Sequence, residues 1–176
     1  QLIGKGITSS VQFIWGLSGN LQYLRFGTTS VTNTGGTTIP ANQWTHIAVT
    51  WSGSGSPYTI SFYVNGALSG TTQSLANAWV SNSDAVKIGG PSGGFASEVF
   101  NGFLDEVRFW DPVRTADQIR DNRFTGLGDG ANSNAANALT SASAYTSLIA
   151  SWNFNRSGTA YDYISGLNGT YVGSAF

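Results

Sequence analysis

The single histidine, His46, and nine acidic residues are the side chains with which this chain of 176 residues could perform acid–base chemistry. His46 stands between Thr45 and Ile47, with no cysteine, second histidine or Ser–Asp pair at a motif spacing. The sequence contains no G-x-S-x-G, H-E-x-x-H or G-x-x-x-x-G-K-[ST] pattern, so serine-hydrolase, zinc-protease and phosphate-loop chemistry lack their usual partners. We therefore interpret His46 as a structural residue.

Adjacent carboxylates, Asp105 and Glu106, are the next candidates for chemistry. A glycosidase needs two carboxyl groups that face one cleft, one as acid and one as nucleophile or base. We predict a strand from Val99 to Trp110, and neighbouring side chains of a strand point to opposite faces. These two carboxylates would then be unable to act together, and we predict that the chain is not an enzyme.

Low charge limits the partners of this protein. Charged residues make up 10% of the chain and the formal net charge is -1, so no positive field attracts nucleic acid or anionic lipid headgroups. Cysteine is absent, which excludes disulfides and thiolate metal sites. No apolar run reaches the roughly 20 residues that span a bilayer. A surface of Ser, Thr, Asn and Gly favours an extracellular or cell-surface location, reached by secretion.

The elements that must position any site are predicted to be β-strands. Apolar alternation with Gly-rich and Asn-Gly turns predicts an all-β, two-sheet antiparallel sandwich. The predicted strands or hairpins are Val11–Phe26, Trp44–Trp51, Tyr58–Val64 with its Asn65-Gly66 turn, Val86–Gly90, Val99–Trp110, Leu148–Phe154 and Tyr171–Phe176. A capping box, Thr115 to Gln118, predicts one short helix, and Leu127–Ser143 is predicted to be a long surface loop.

Five segments, in this order and spacing, resemble the laminin-G-like, concanavalin A-like jelly rolls of bacterial surface proteins. They are Gln43–Trp51, Phe62–Gly66, Ile88–Gly90, Phe100–Trp110 and Arg114–Ile119. The resemblance implies a concanavalin A-like jelly-roll sandwich. The glucanases of this fold carry an E-x-D-x-x-E type run on a strand, which this sequence lacks.

The C-terminal region, residues 144–176, is similar to the opening strand and turn of the same family, here placed last. We predict a single domain over 1–176 in which this region supplies the family's first strand and turn. The alternative is that the chain joins the end of one domain to the start of the next, and then the terminal strand could pair with a neighbouring subunit.

The resemblance also implies a calcium site, since Ca²⁺ prefers carboxylate and carbonyl oxygens. In this family the carboxylate corresponding to Asp105 and the turn aspartate corresponding to Asp162 can lie close together. Backbone carbonyls such as those of Asn168 and Gly169 would complete the shell. The alternative is that Asp162 caps its own turn by an Asx hydrogen bond while Asp105 pairs with Arg108 or with backbone N–H groups.

Sugar binding commonly uses exposed aromatic rings beside amide and backbone groups. Trp79 and Tyr145 lie near predicted loops and are the candidates for such a ligand site. We predict a non-catalytic carbohydrate-binding or adhesive module of a larger secreted or surface protein, with a glycan or surface polymer as its partner. The alternative is a structural subunit of an extracellular filament or surface layer, assembled from copies of this chain through β contacts.

Overall fold

A computed structural model describes residues 1–6, 10–77, 80–91, 98–126, 147–154, 159–162 and 164–172. The chain divides into two compact units, Gln1–Gly102 and Phe103–Phe176. The assignment of residues 1–176 to one domain stays a prediction.

The described part of the first unit forms two antiparallel sheets. Its strands are β1 (Ile3–Lys5), β2 (Phe13–Ser18), β3 (Leu21–Phe26), β4 (Thr29–Thr32), β5 (Ile47–Ser52), β6 (Tyr58–Val64), β7 (Ala67–Leu75) and β8 (Val86–Ile88). One sheet has the order β4-β3-β2-β1-β8 and the other the order β5-β6-β7. The turn between β6 and β7 is Asn65-Gly66, whose φ angles of 50° and 83° suit the tight hairpin that this dipeptide favours.

The two sheets enclose an apolar core. Phe26 on β3 and Phe62 on β6 are completely buried, and the Trp51 ring meets the Phe26 ring edge to face with 6.0 Å between centroids. Removing a Phe side chain from water stabilises a fold by about 1.5–3 kcal/mol. Alternation of apolar and polar residues places the apolar side chains on one face of each sheet. Burial of these faces against each other stabilises the sandwich.

Side-chain amides join the two sheets through the same core. Gln22 on β3 donates from Nε2 to the Tyr63 carbonyl on β6 at 3.0 Å, and its Oε1 accepts from Trp15 Nε1 at 3.1 Å. Asn33, after β4, donates to Ser69 Oγ on β7 at 2.9 Å. A Cβ at Gly70, where φ is +72°, would lie 2.4 Å from Asn33 Oδ1, so this approach requires glycine.

Among its described residues, the second unit contains one sheet and one helix. Its elements are β9 (Val107–Trp110), α1 (Ala116–Asn122), β10 (Leu148–Asn153), β11 (Thr159–Asp162) and β12 (Gly169–Thr170), with the sheet order β12-β11-β10-β9. The predicted capping box is present: Gln118 N donates to Thr115 Oγ1 at 3.2 Å, and Thr115 N donates to Gln118 Oε1 at 2.9 Å. No described helix is long and apolar enough to cross a membrane.

The all-β, antiparallel sandwich fold with a short helix is confirmed, but several strand predictions differ from the structure. Of the predicted strand Val99–Trp110, only Val107–Trp110 forms a strand. Glu106 adopts a left-handed φ of 53°, which interrupts the extended backbone. Asp105 and Glu106 thus lie before the strand, and the prediction that their side chains point to opposite faces of a strand is wrong.

Among the described residues the last strand is Gly169–Thr170, and Tyr171 and Val172, the start of the predicted strand Tyr171–Phe176, are not in a strand; residues 173–176 lie outside the described residues. The short strands β1, β4 and β11 were not predicted, since three or four residues give too little alternation to recognise. The predicted loop Leu127–Ser143 also lies outside the described residues.

Candidate functional site

Asp162 ends β11 with its carboxylate pointing into the second unit, where only 4% of the residue is exposed. Its Oδ1 accepts hydrogen bonds from the backbone N–H groups of Ser151 at 3.0 Å, Ile164 at 3.0 Å and Ser165 at 3.4 Å. Ser165 Oγ donates to the other carboxylate oxygen. The bonds to residues two and three positions later form the Asx turn expected of an aspartate in this position.

Further hydrogen bonds of backbone and side-chain groups stabilise the same turn. Asp162 N donates to Asn168 Oδ1 at 2.9 Å, and Asn168 N donates to the Gly166 carbonyl at 2.9 Å. Trp152 Nε1 on β10 donates to the Leu167 carbonyl at 3.1 Å. We call residues 162 and 164–169 the Asp162 turn; its side chains and backbone groups bind mainly one another and β10.

Two opposing effects set the pKa of Asp162. Burial raises the pKa of the carboxyl group, but the hydrogen bonds from Ser165 Oγ and from three backbone N–H groups together lower it below its ordinary value of 3.8. Asp162 is therefore ionised across the neutral range. A carboxylate of this kind cannot supply a proton as a general acid near pH 7.

Asp105 performs a similar role at the entrance of β9. Its Oδ1 accepts from Glu106 N at 2.8 Å and from Phe154 N, beyond the end of β10, at 3.2 Å. Glu106 pairs with Arg108 at 2.5 Å, and the Arg108 guanidinium also donates to carbonyls of Asn122 and Thr125 at the end of α1. The carboxylate of Asp105 thus anchors the backbone where Glu106 turns, and Arg108 pairs with Glu106.

The four residues expected to bind calcium lie around one sheet. Asp105 binds the backbone next to the end of β10, Asp162 binds Ser151 within β10, Asn168 closes the Asp162 turn and Gly169 pairs with Ala160. Three of their side-chain oxygens accept N–H donors, whose partial positive charge occupies the positions a cation would need. No group of three or more His, Cys, Asp or Glu side chains in the described ranges could hold a metal ion. These contacts favour backbone capping, and calcium ligation stays a prediction.

The two aromatic residues expected to bind sugar, Trp79 and Tyr145, lie outside the described residues. Within the described part, the most exposed aromatic side chains are Trp44 at 70%, Phe103 at 87% and Phe124 at 74%. The Arg123 guanidinium lies 4.5 Å from the centroid of the Phe124 ring and covers one of its faces. Trp44 is the exposed residue with the largest ring, and tryptophan is normally among the most deeply buried side chains.

Trp44 lies two residues before a hydrogen-bonded turn contact of the first unit. Two residues after it, His46 donates from its backbone N to Asn65 Oδ1 at 3.2 Å and accepts from Asn65 N at 2.8 Å. Among the described residues Asn65 Nδ2 has no acceptor, and the side chain is exposed. We call Trp44 together with Asn65 the Trp44 platform. It presents an indole ring and an amide donor to solvent.

The sequence prediction missed this site because it extended the strand back to Trp44. The structure begins β5 at Ile47, three residues later. Asn42, with a left-handed φ of 59°, turns the chain before the strand. Asparagine tolerates that conformation better than most residues, and the Pro40-Ala41-Asn42 sequence was the available signal for a turn.

Comparison with protein families identifies the family of this chain. The laminin G family model described as the concanavalin A-like lectin/glucanases superfamily matches residues 3–120. The chain belongs to this family. The matched range contains the Trp44 platform and Asp105, whereas the Asp162 turn lies beyond it. No curated protein and no solved structure matches the chain. Membership of a superfamily that joins lectins with glucanases is consistent with a carbohydrate-binding domain.

Proposed function

We propose that this chain is a non-catalytic carbohydrate-binding module of an extracellular surface protein, and that the Trp44 platform contacts the sugar. The observation that carries the proposal is the 70% exposure of Trp44 in a domain of the concanavalin A-like lectin/glucanases superfamily. An indole exposed to this extent has little role in the core, yet its flat apolar face matches the C–H face of a pyranose ring.

Neighbouring groups support a neutral glycan as the ligand. Asn65 is positioned by its hydrogen bonds with His46, so its Nδ2 can donate to a sugar hydroxyl with little loss of side-chain freedom. The formal net charge of -1 and the charged fraction of 10% provide no field for a polyanion. A single stacked ring with few hydrogen bonds gives weak affinity, with a Kd of about 0.1–1 mM for one binding site.

The contacts of the carboxylates support a non-catalytic role. A glycosidase requires one carboxyl group that is protonated near neutral pH and a second one across a cleft. Asp162 has a lowered pKa and its oxygens accept four hydrogen bonds, while Asp105 Oδ1 caps two backbone N–H groups. Both carboxylates therefore accept hydrogen bonds from backbone N–H groups of the second unit.

Affinity electrophoresis tests this proposal. The protein is run in native gels that contain a neutral soluble polysaccharide, such as a β-glucan, a galactomannan or a xyloglucan, and its mobility is compared with that in a plain gel. We expect at least one polysaccharide to retard the protein and Trp44→Ala to abolish the retardation. The control is Leu68→Ala, which truncates another exposed apolar side chain of the same unit and should leave retardation unchanged. Equal retardation of the Trp44→Ala variant would refute the role of the platform.

A structural subunit is the second candidate. β12 is an edge strand of only two residues, and Val172 just after it is 88% exposed, so this edge offers backbone and apolar groups to another chain. Light scattering followed by electron microscopy separates the two candidates. Monomers favour the binding module, whereas ordered polymers would make the chain a subunit of a filament or layer.

A further inference from the structure

Three Asn-Gly pairs occur in the described residues, at Asn65-Gly66, Asn101-Gly102 and Asn168-Gly169. This dipeptide is chemically labile, because glycine has no side chain to hinder its backbone nitrogen from attacking the preceding side-chain amide. Attack forms a C–N bond from the glycine nitrogen to the asparagine Cγ, and the side-chain nitrogen leaves as ammonia. Water then opens the resulting succinimide ring at one of its two carbonyls, which yields aspartate or isoaspartate.

We propose that Asn101 is the site at which this protein undergoes such spontaneous deamidation, and that the fold protects Asn65 and Asn168. All three asparagine side chains are exposed, so access of water does not distinguish them. The three sites differ in the hydrogen bonds of the reacting groups.

At the two protected sites the side-chain oxygen is bound. Asn65 Oδ1 accepts from His46 N at 3.2 Å, and Asn168 Oδ1 accepts from Asp162 N at 2.9 Å. The glycine nitrogens are restrained as well, since Gly66 is buried and Gly169 belongs to β12, where it pairs with Ala160. To form the ring, each of these turns must first open its hydrogen bonds and rotate the asparagine side chain.

Asn101 has none of these restraints among the described residues. Phe100 is the last anchored residue before it, with its N–H donating to the Gly89 carbonyl at 3.0 Å. Asn101 and Gly102 follow as exposed residues outside any strand, and no hydrogen bond in the described part of the chain restrains either of them. The amide carbon and the attacking nitrogen can therefore approach each other without local unfolding.

The modification would alter charge and backbone where the first unit ends, at Gly102. Conversion of one amide into a carboxylate changes the formal net charge from -1 to -2. Isoaspartate also inserts one additional carbon into the main chain. The proposal is independent of sugar binding.

Peptide mapping by mass spectrometry tests it on the intact chain. The folded protein is incubated at 37 °C and mildly alkaline pH, and deamidation at each Asn-Gly pair is followed over time, with isoaspartate methyltransferase labelling as a second readout. We expect Asn101 to react at least about tenfold faster than Asn65 and Asn168, because the latter must break hydrogen bonds first.

The matched control is the same chain in denaturant, where all three pairs should react at similar rates. A second control, Asn101→Gln, should remove the fast step, since glutamine would need to form a larger ring. Equal rates at the three sites in the folded chain, or faster reaction at Asn65 or Asn168, would overturn the proposal.

Discussion

The Asp162 turn and the Trp44 platform both lie next to strand ends, but they use their side chains in opposite ways. In the Asp162 turn a charged residue is buried and its oxygens accept four donors from the protein. In the Trp44 platform a large apolar ring is exposed, and Asn65 accepts a hydrogen bond from the backbone of His46 while its side chain remains exposed. Residue type alone thus assigns chemistry poorly. The carboxylate stabilises the fold, and the aromatic ring is available to a ligand.

The largest effect should come from Asp162→Ala. This substitution leaves the buried N–H of Ser151 without its acceptor and opens the turn, so we expect the free energy of unfolding to fall by about 3 kcal/mol. Urea denaturation of the variant and the parent protein measures the loss. Asp105→Ala is the matched control, because it removes two backbone contacts at an exposed residue and should cost about 1 kcal/mol. Equal losses would remove the distinction between the two carboxylates.

Acid should weaken the same turn. The pKa of Asp162 is lower in the folded protein than its ordinary value of 3.8, so the folded state binds this proton less tightly than the unfolded chain does. The stabilisation by this carboxylate is therefore complete above that value and is lost as pH falls through the lower folded pKa. We expect the stability difference between the parent protein and Asp162→Asn to be constant from pH 7 to pH 5 and to shrink below pH 3.8. A difference that grew on acidification would contradict this sign.

Trp44→Ala should have a small effect on stability. Since the residue is 70% exposed, we expect the free energy of unfolding to change by less than about 0.5 kcal/mol. Polysaccharide retardation should nevertheless disappear, which would separate binding from folding. A loss of stability as large as that of Asp162→Ala would show that the ring is part of the core.

Chelation should have the smallest effect. If Asp105 and Asp162 only cap the backbone, as their N–H and O–H donors favour, excess chelator should leave the melting temperature unchanged within about 1 °C, whereas the predicted calcium site requires a fall. Thermal melts of the same sample with added Ca²⁺ and with chelator measure this. A fall of several degrees on chelation that Asp105→Asn abolished would instead establish a calcium site that includes Asp105.

Strands and turns could be predicted from the sequence more reliably than the roles of individual side chains. Alternation predicted β6 and the Asn65-Gly66 hairpin, and the Thr115–Gln118 capping box predicted the start of α1. The end of β9 nearest Asp105 was missed because a left-handed φ at a glutamate has no sequence signature. The exposure of Trp44 depends on where β5 begins, and the sequence does not define that boundary.

The sequence did anticipate both roles that Asp162 could have. An aspartate before a Ser-Gly turn suits either a metal ligand or an Asx turn, and only the positions of the surrounding N–H groups distinguish them. Those groups come from β10 as well as from the turn itself, as the Ser151 contact shows. Tertiary pairing, which local patterns do not encode, therefore supplies a contact that favours the Asx turn.

The buried amides of the first unit have a consequence for specificity. Apolar side chains tolerate small shifts of one sheet over the other, since dispersion contacts have no direction. Gln22 and Asn33, in contrast, each find their partner on the opposite sheet in only one alignment. A slip by one residue would leave both amides buried without acceptors, at a cost comparable to a large fraction of a domain's total stability. The hydrogen bonds of these two amides thus specify one alignment of the two sheets of the first unit and destabilise alignments shifted by one residue.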